Sequence, residues 1–351
     1  MSADTYFKAM LVDGKLLDKD PHFSQGCSYC HKGNEAAKDK DGAHKGLRVR
    51  PSDDLNVCGA CHPKITATFG KSLHYTTAGL KHGVSPRFTP VEREVFEKKV
   101  FEKSCRSCHA SCGDCHVKGP TIGGVKIGLV KNHQFMKRPD ESKTCAACHG
   151  GRVYPEFTGD YGEVLPDVHQ QKGMTCVDCH GKDQLHGDGT AHKSMREVKE
   201  RPDCRNCHQI GEEKNEQTRL AHRQHKDKLS CQACHASAAY RNCYDCHDKK
   251  SQSKPGFFLG LSPRDHKTIT TLRLIPTVRD TFKKDGIAME NFDALPNYWD
   301  TPVHNIRKRT DRTKSCEICH RDAKDFLSEK DMFPGGSKAN NRLIYKPKPL
   351  K

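Results

Sequence analysis

The sequence predicts a mostly irregular fold of short α-helices with little β-structure, whose core is not built from the chain's own aliphatic side chains. Two observations lead to this prediction. Only 34% of the 351 residues are hydrophobic, and the mean hydropathy is −0.84. A chain this polar cannot ordinarily offset the entropy that it loses on folding. In addition, all 20 cysteines belong to one short motif that recurs along the chain.

The recurring motif is CxxCH, in which a histidine directly follows the second of two cysteines. No cysteine lies outside this motif. The ten copies are Cys27-Cys30-His31, Cys58-Cys61-His62, Cys105-Cys108-His109, Cys112-Cys115-His116, Cys145-Cys148-His149, Cys176-Cys179-His180, Cys204-Cys207-His208, Cys231-Cys234-His235, Cys243-Cys246-His247 and Cys316-Cys319-His320.

CxxCH is the attachment sequence of c-type haem. Its spacing places two thiols on one side of a single turn, where both can bond to one porphyrin, and the next histidine can reach the iron. A disulfide framework, thioredoxin-like redox pairs and zinc sites are the alternatives. Zinc needs its ligands in fours, and neither zinc nor disulfides explain a histidine after every second cysteine. We therefore predict ten covalently bound haem c groups, with the motif histidines as proximal iron ligands.

These motifs resemble those of multihaem c-type cytochromes of the exported, respiratory electron-transfer kind, and the resemblance spans residues 27–320. The stretches SCGDCHV, SLHYT and NFDALPNYW followed by HN are also similar to segments of long exported cytochromes of this class. The resemblance implies a core of stacked haems wrapped by loops and short helices, with about 35 residues for each haem. Such a chain is expected to be essentially unfolded without haem.

Twelve histidines remain outside the motifs, close to the number needed to give every iron a second, distal ligand. His82 follows His74 too closely, and His266 lies in a haem-poor segment, so these two are the weakest candidates. The sequence HRQH, which ends at His225, resembles the paired distal ligands of small multihaem cytochromes. The ten predicted distal ligands are His22, His44, His74, His133, His169, His186, His192, His222, His225 and His304.

Six-coordinate irons favour electron transfer over catalysis, because a reductase of nitrogen or sulfur oxyanions needs an iron with an open position. The resemblance adds that such reductases often replace one proximal histidine with lysine, whereas all ten motifs keep histidine here. We therefore predict an electron conduit and no catalytic residues, with a multihaem reductase as the alternative. Methionine could also serve as a distal ligand, but the supply of histidines makes it unnecessary.

The net charge of +16 could indicate binding to nucleic acid. However, each oxidised haem with two propionates adds about −1, so ten haems bring the total to about +6 when oxidised and about −4 when reduced. We therefore interpret the lysines and arginines as propionate partners and as solubilising surface, and expect no nucleic-acid partner.

Haem attachment to CxxCH takes place outside the cytoplasmic membrane, so the resemblance implies export. The opening MSADTYFKAMLVDGKLL lacks the features of a signal peptide, so we expect a processed form or a different gene start. No run of 18 apolar residues is present, so no membrane-spanning segment is predicted. An extracellular or cell-surface location is favoured over the periplasm.

Motif spacing predicts three regions along the chain. Residues 1–247 form a nine-haem wrapping region, 248–315 a haem-poor lobe or flap, and 316–351 the tenth motif with a basic tail. Within the second region, TITTLRLIPTV is typical of a strand. His116 lies only seven positions after His109, and Cys231 and Cys243 are also close in sequence, so each of these motif pairs must hold neighbouring haems.

One helix is predicted before the third motif, in TPVEREVFEKKVFEK. Thr89 and Glu92 form a capping box, and Pro90 is suited to the first helical position. The apolar face, which we expect to cover haem, consists of Val91, Val95, Phe96 and Val100.

The C-terminal sequence NNRLIYKPKPLK is basic and contains proline, so it is expected to need contacts beyond the chain in order to be fixed. A neighbouring subunit could supply them, and His22 could in the same way bind a haem of an adjacent subunit. Such head-to-tail contacts would build a filament. The expected partners are therefore further copies of the chain, other redox proteins or extracellular electron acceptors. A soluble periplasmic shuttle is the alternative.

Ten intact motifs make the haem content testable. We expect the intact mass of the mature protein to exceed that of the polypeptide by ten haems, about 6 kDa, because each CxxCH binds one haem covalently. Mass spectrometry under denaturing conditions measures this difference, since thioether bonds survive unfolding. A fully matured protein with eight haems or fewer would contradict the prediction.

Overall fold

The computed structural model describes residues 12, 14–118, 121–122, 125–126, 133–160, 164–239 and 256–350. Over these residues the chain consists of turns, irregular segments and helices of at most ten residues, with little β-structure. The predicted fold class is therefore confirmed in its secondary structure. No helix in the described ranges is long and apolar enough to cross a membrane.

The helices are short and spread along the whole described chain. The α-helices are Gly14–Leu17, Cys27–His31, Lys40–His44, Leu55–Gly59, Pro63–Phe69, Leu73–Thr76, Ala78–His82, Pro90–Val95, Cys112–His116, Glu141–His149, Val153–Thr158, Cys176–Cys179, Lys182–His186, Glu216–His225, Cys231–His235 and Asp311–Lys314. Single 3-10 turns include Pro21–Gln25, Cys105–Cys108, Cys204–Asn206 and Lys338–Leu343, and π-helical turns are Phe96–Phe101 and Ile318–Asp322.

Side-chain caps help such short helices to form. Asp39, Asp54, Ser72, Thr89 and Asn215 each precede a helix and accept a hydrogen bond from a backbone N–H of its first turn. A cap of this kind satisfies one of the N–H groups that a helix start leaves unpaired. Since helices this short are unstable alone, they must also depend on contacts with the rest of the protein.

The chain divides into two compact units that alternate along the sequence. Unit 1 comprises Met1–Gly79, Arg106–Gly150 and Cys179–Arg201, and unit 2 comprises Leu80–Cys105, Gly151–Asp178 and Pro202–Lys351. The boundary predicted at residue 315 falls inside unit 2, and the boundary predicted at residue 247 lies outside the described residues. The three-region division by motif spacing therefore stays a prediction.

Unit 1 has very little apolar interior of its own. Among its described side chains, the buried hydrophobic ones are Phe69, Ala146 and Val198. Its only regular β-structure in the described part is a small antiparallel pair, β1 (Thr121–Ile122) with β2 (Val125–Lys126). Apolar burial is the main force that stabilises a fold, so this unit needs apolar material from outside the polypeptide.

Unit 2 contains an antiparallel three-stranded sheet. Its strands are β3 (Phe258–Leu261), β4 (Ile269–Leu274) and β5 (Tyr298–Asp300), with β4 in the centre. Every residue of β4 is buried. The strand predicted in TITTLRLIPTV is therefore confirmed, and the haem-poor segment has a core of its own.

The two faces of this sheet bury different parts of unit 2, because successive strand residues point to opposite faces. Phe258, Leu272 and Leu274 pack with Leu327 and Leu343 from the C-terminal segment. On the other face, Leu259 and Ile269 pack with Ala233 and Ala236, which lie in and directly after the helix Cys231–His235. The sheet therefore positions the eighth CxxCH motif.

The helix predicted before the third motif is present, and it begins as expected. Both hydrogen bonds of the capping box between Thr89 and Glu92 form, and the helix Pro90–Val95 continues as a π-helical turn. Within the polypeptide the predicted apolar face is only partly buried, because Phe96 is 2% exposed whereas Val91 is 73% exposed. The wider π-helical turn changes which residues after Phe96 point to the buried side of the helix. As a result, Phe101 is buried beside Phe96.

This helix is predicted to cover haem, which stays a prediction, and part of it packs on protein. Phe96 and Phe101 form a hydrophobic cluster with Phe88, Phe292 and Met289 of the same unit. The carboxylate of Glu92 also accepts hydrogen bonds from the backbone N–H groups of residues 288 and 290. The helix therefore packs on protein, in a third hydrophobic cluster.

The C-terminal tail is fixed by its own chain, which corrects the expectation that it lacks a core. Leu343 is fully buried, and the Asn340 side chain accepts a hydrogen bond from the Asn297 backbone N–H. Tyr345 packs against Phe326. Intramolecular contacts therefore account for the order of this segment, and no neighbouring subunit is required for it.

A buried ion pair ties β4 to the helix Val153–Thr158. The guanidinium of Arg273 donates to the carboxylate of Glu156, and these side chains are 2% and 0% exposed. The second carboxylate oxygen accepts from the His304 backbone N–H at 2.9 Å. Removal of one partner would leave a buried charge uncompensated, which is more costly than the loss of the pair itself.

We expect Arg273→Met to destabilise unit 2 by about 3–5 kcal/mol, because Glu156 would then be buried without its cation. Hydrogen exchange of the β4 amides in the holo-protein measures this loss as a lower free energy of local opening.

Lys98→Met is the matched control, since it removes a cation from the exposed Lys98–Glu94 pair. Exposed pairs of this kind contribute little, so β4 exchange should not change measurably. A loss below about 1 kcal/mol for Arg273→Met would contradict the role of the buried pair.

Candidate haem sites

Three of the described CxxCH motifs are folded as single turns that bring their functional atoms to one side. Cys27–His31, Cys112–His116 and Cys231–His235 are each one helical segment that begins at the first cysteine and ends at the histidine. Residues three and four positions apart lie on one face of a helix. Both sulfurs and the histidine can therefore address the same ligand, as haem attachment requires.

We number the sites 1 to 10 by the order of their motifs along the chain, so that site 1 contains Cys27 and site 10 contains Cys316. The ninth motif, Cys243-Cys246-His247, lies outside the described residues.

Among the described residues, seven motif histidines face a histidine from elsewhere in the chain, at closely similar distances between ring centres. Unit 1 contains four of these pairs and unit 2 contains three, and in no pair do both histidines come from motifs. The pairs are His22–His62 (6.3 Å), His31–His133 (5.9 Å), His74–His149 (6.4 Å), His116–His186 (5.9 Å), His169–His208 (6.0 Å), His222–His235 (6.2 Å) and His225–His320 (6.0 Å).

These distances fit two histidines that bind one iron from opposite faces of a porphyrin. A metal–imidazole bond of about 2.0 Å, plus about 1.2 Å from nitrogen to ring centre, places two such rings about 6.4 Å apart. Direct aromatic stacking does not require so uniform a separation. The residues present therefore fit a bis-histidine haem at each of the seven sites.

Hydrogen bonds orient the proximal histidines. The Nδ1 atoms of His31, His116, His235 and His320 lie 2.6–3.1 Å from backbone carbonyl oxygens. Because a carbonyl can only accept, each Nδ1 must carry the proton and donate. The Nε2 atom of each ring then has a free electron pair for iron, and its direction is fixed.

Three distal histidines instead donate to carboxylates, and sequence reasoning missed these partners. His22 Nδ1 lies 2.7 Å from Asp20 Oδ1, and His169 Nδ1 lies 2.9 Å from Asp167 Oδ1. In both cases the same oxygen also accepts the histidine backbone N–H. An aspartate two residues before a histidine is the sequence signal that could have indicated this clamp.

The third carboxylate comes from farther along the chain. His222 Nδ1 donates to Glu213, which lies in the segment before the helix Glu216–His225. His225, on the same helix, donates to the carbonyl oxygen of Ala221 at 2.8 Å. The two histidines of HRQH thus have acceptors of different charge.

Burial keeps several of these imidazoles neutral. The pKa values of His74, His133, His180, His186 and His235 are lowered, chiefly because burial penalises the charged ring. Neighbouring histidines lower the pKa of His74 further. Neutral imidazole is the form that binds a metal, so the environment favours ligand chemistry.

One short segment of unit 2 orients ligands at two sites. The Ile306 backbone N–H donates to the second oxygen of Asp167. The carbonyl of Arg307 accepts from His235 Nδ1 at 3.1 Å. Residues 306–307, which closely follow NFDALPNYW, therefore position His169 at site 7 and His235 at site 8.

The C-terminal tail has a similar role at site 10. His320 Nδ1 donates to the carbonyl oxygen of Lys348 at 2.6 Å. The tail was predicted to be an assembly element, and sequence reasoning gave no signal for this contact.

His22 is a predicted distal ligand, and the sequence left open whether it binds a haem of an adjacent subunit. Its ring lies 6.3 Å from His62 of the same chain. It also stacks on Phe135 at 4.1 Å. A ligand role within the chain accounts for its position.

The other predicted distal ligands are placed differently from these seven. His44 is exposed and donates through Nδ1 to the Lys40 carbonyl. His192 contacts Asp188 through Nε2, the atom that most often binds iron. The backbone N–H of His304 donates to Glu156. Their predicted ligand roles stay predictions, as do those of the motif histidines at sites 3, 6 and 9.

The two weakest candidates, His82 and His266, pair with no motif histidine within the part of the chain that the structure describes. His266 is exposed in the turn between β3 and β4, with a positive φ of 51°. His82 ends the helix Ala78–His82.

Cysteines of different motifs lie side by side within each unit. In unit 1, a hydrogen bond between the Cys58 and Cys112 thiols raises the pKa of Cys58 and lowers that of Cys112. In unit 2, the Cys204 and Cys231 thiols form a similar bond, which lowers the pKa of Cys231 to about 6. Sites 2 and 4 are therefore neighbours, and so are sites 7 and 8.

The zinc alternative requires several ligands in one cluster. Within the described ranges, no group of three or more His, Cys, Asp or Glu side chains is arranged to hold a metal ion. The paired-histidine arrangement is the pattern that this part of the chain presents.

Comparison with known proteins agrees with the haem assignment over part of the chain. Residues 183–236 match the family described as cytochrome c554 and c-prime. This segment contains the motifs of sites 7 and 8 together with His186, His222 and His225.

A protein of Archaeoglobus fulgidus, itself uncharacterised, is 28% identical over 159 residues, which cover 36% of this chain and 52% of the relative. The chain thus spans about half the length of the curated relative that it matches. No solved structure matches. The geometry and the family match together support a c-type cytochrome, an electron-transfer protein that carries covalently bound haem.

Proposed function

We propose that the protein conducts electrons along ten bis-histidine haems in extracytoplasmic respiration. Haem supplies reversible one-electron chemistry at iron when it is bound. The chain supplies two cysteines and a histidine at each motif, and a second histidine from another segment. Its remaining task is to hold the sites close together.

The uniform histidine pairs are the observation that carries this proposal. Each joins one motif histidine to one histidine outside the motifs, at 5.9–6.4 Å. A chain that fills both axial positions holds iron with little change between its oxidation states. Such irons suit electron transfer, whereas a reductase site needs an open position for its substrate.

Contacts in unit 2 support a continuous path through sites 7, 8 and 10. Cys204 of site 7 contacts Cys231 of site 8. His222 and His225 lie three residues apart on one helix, where side chains are about 5–6 Å apart at Cβ, and they pair with the motif histidines of sites 8 and 10. The distal histidines of sites 8 and 10 therefore lie on the same helix.

Arg312 strengthens the link between sites 8 and 10. Its guanidinium donates to the carbonyls of Ala233 and Ala236, around the site 8 motif, and pairs with Asp325 at 2.9 Å. This side chain is nearly buried, so it fixes the site 8 helix against the segments that flank the tenth motif.

Contacts in unit 1 support a second cluster of neighbouring sites. Cys30 of site 1 lies near Cys58 of site 2, which contacts Cys112 of site 4. His186, the partner of the site 4 histidine, lies near His74 of site 5, as does the motif histidine of site 6. The sites of unit 1 thus form a connected group.

A reductase of nitrogen or sulfur oxyanions is the second candidate from the sequence. It requires one iron without a distal histidine, and the seven observed pairs do not favour it at their sites. The spin state of the oxidised protein separates the two functions, because an open ferric site is high-spin and a bis-histidine site is low-spin.

The location and assembly in this proposal rest on the sequence alone. Haem attachment implies a place outside the cytoplasm, and an extracellular or cell-surface location with electron acceptors outside the cell is favoured. Polymerisation into an extracellular cytochrome filament extends the proposal, with a soluble periplasmic shuttle as the alternative. Since the tail packs on its own chain, its exposed end and the remaining surface would have to provide the contacts.

We expect the oxidised wild type to be entirely low-spin, and His225→Ala to convert about one iron in ten to high-spin, because His225 pairs with His320. Electron paramagnetic resonance and magnetic circular dichroism of the purified holo-protein measure both species.

His266→Ala serves as the matched control, because His266 is exposed in a turn and pairs with no motif histidine among the described residues. It should leave every iron low-spin. A high-spin fraction near one in ten in the wild type would contradict the conduit and favour the reductase.

We also expect the intact protein to self-associate with increasing concentration if it forms filaments. Light scattering and negative-stain microscopy of the full-length chain measure this. Truncation of the tail is unsuitable as a test, because it would remove Leu343 from the core and Lys348 from His320. A protein that stays monomeric at every concentration would favour the soluble shuttle.

A further inference from the structure

We propose that unit 2 sets a graded series of reduction potentials through the acceptors of its distal histidines, lowest at site 7, intermediate at site 8 and highest at site 10. The inference rests on the bis-histidine function proposed above and adds a direction of electron flow to it. It depends on three histidine partners of this chain, which differ in charge and in burial.

Site 7 has the strongest electron-donating ligand. The Asp167 side chain is only 3% exposed and accepts from both the backbone N–H and the Nδ1–H of His169. Its second oxygen accepts from the Ile306 backbone N–H. Among the described residues no lysine or arginine pairs with Asp167, and the nearby Arg307 guanidinium donates to Pro166 and Gln171 instead.

Site 8 has a carboxylate partner that solvent reaches. His222 Nδ1 donates to Glu213, whose side chain is 23% exposed. Water and salt screen an exposed charge far more than a buried one. Glu213 should therefore lower the reduction potential of site 8, as Asp167 does at site 7, but by a smaller amount.

Site 10 has neutral partners on both sides. His225 donates to the carbonyl of Ala221 at 2.8 Å, and His320 donates to the carbonyl of Lys348 at 2.6 Å. Neither carbonyl carries a net charge, so this site has no carboxylate hydrogen bond to its ligands.

A carboxylate that accepts the Nδ1 proton makes the imidazole more basic and stabilises the more positive ferric state. Stabilisation of the ferric state lowers the reduction potential. The burial of Asp167 strengthens this effect, because a charge in a low dielectric acts more strongly on its neighbours. The acceptors alone therefore predict the order 7, 8, 10 from low to high potential.

This electronic order coincides with the spatial order of the sites. Site 7 contacts site 8 through Cys204 and Cys231, and site 8 shares a helix with site 10. With haem bound at each site, transfer of one electron from site 7 to site 8 would oxidise the first iron and reduce the second. Transfer from site 8 to site 10 would be the same one-electron exchange, with no bond formed or broken. Unit 2 thus favours flow towards site 10.

The test is a potentiometric titration of the holo-protein, followed in the visible absorption of reduced haem. One haem of ten accounts for one tenth of the absorbance change, and Asp167→Asn should move that tenth to higher potential. The expected change in the reduction equilibrium of this haem is tenfold to hundredfold, about 60–120 mV. Glu213→Gln should also move one tenth of the absorbance change to higher potential, with a change of less than about tenfold in the reduction equilibrium.

Asp20→Asn is the matched control, because Asp20 clamps His22 through the same two hydrogen bonds but is 18% exposed. Asp20→Asn should raise the reduction potential of site 2, where His22 pairs with His62, by less than Asp167→Asn raises that of site 7. Should Asp167→Asn fail to accumulate with ten haems, Glu213→Gln provides the test. A titration of Glu213→Gln that superimposes on the wild type would then overturn the gradient.

The gradient and the proposed function fail in different ways. His169→Ala should produce about one high-spin iron in ten if His169 is a ligand. If that signal appears and Asp167→Asn titrates like the wild type, or shifts less than Glu213→Gln, the gradient is wrong and the conduit stands. If His169→Ala leaves every iron low-spin, the ligand assignment itself is wrong.

Discussion

The pairing of a motif histidine with a histidine from another segment is the constraint on which the rest of the structure depends. It forces parts of the chain that are far apart, such as His31 and His133, to meet at 5.9 Å. Short capped helices and irregular loops can follow such a path, whereas long helices or a large sheet could not. The Nδ1 hydrogen bonds of proximal histidines such as His235 and His320 add direction, since each leaves Nε2 free and aims it.

The same constraint explains why the two units have different interiors. Unit 1 has four histidine pairs and few buried apolar side chains, so stacked cofactors would have to supply most of its core. Among the described residues, unit 2 has three pairs and three hydrophobic clusters, two of which pack on the faces of its sheet. That protein core holds the helix Cys231–His235 and the C-terminal segment in place, which in turn position sites 8 and 10. Folding of unit 1 should depend more on haem than folding of unit 2.

Residues outside the motifs complete the sites, and several serve structure and function together. Residues 306–307 connect Asp167 with His235, and the carbonyl of Lys348 orients His320. These partners determine the electronic character of each ligand as well as its direction. Segments that seemed to lack haem therefore contribute to the proposed path, because backbone carbonyls and amides can act as hydrogen-bond partners whatever their side chains.

The sequence by itself determined the chemistry of the sites: spacing identified every motif, and the excess of histidines predicted distal ligation in general. It also predicted the capped helix at Thr89 and the strand around Leu272, because their signals are local. Only the tertiary structure decided which histidines pair, that Phe96 and Phe101 pack in a protein cluster and that the tail belongs to the core. Those outcomes depend on contacts between residues far apart in the chain, and no local pattern specifies such contacts.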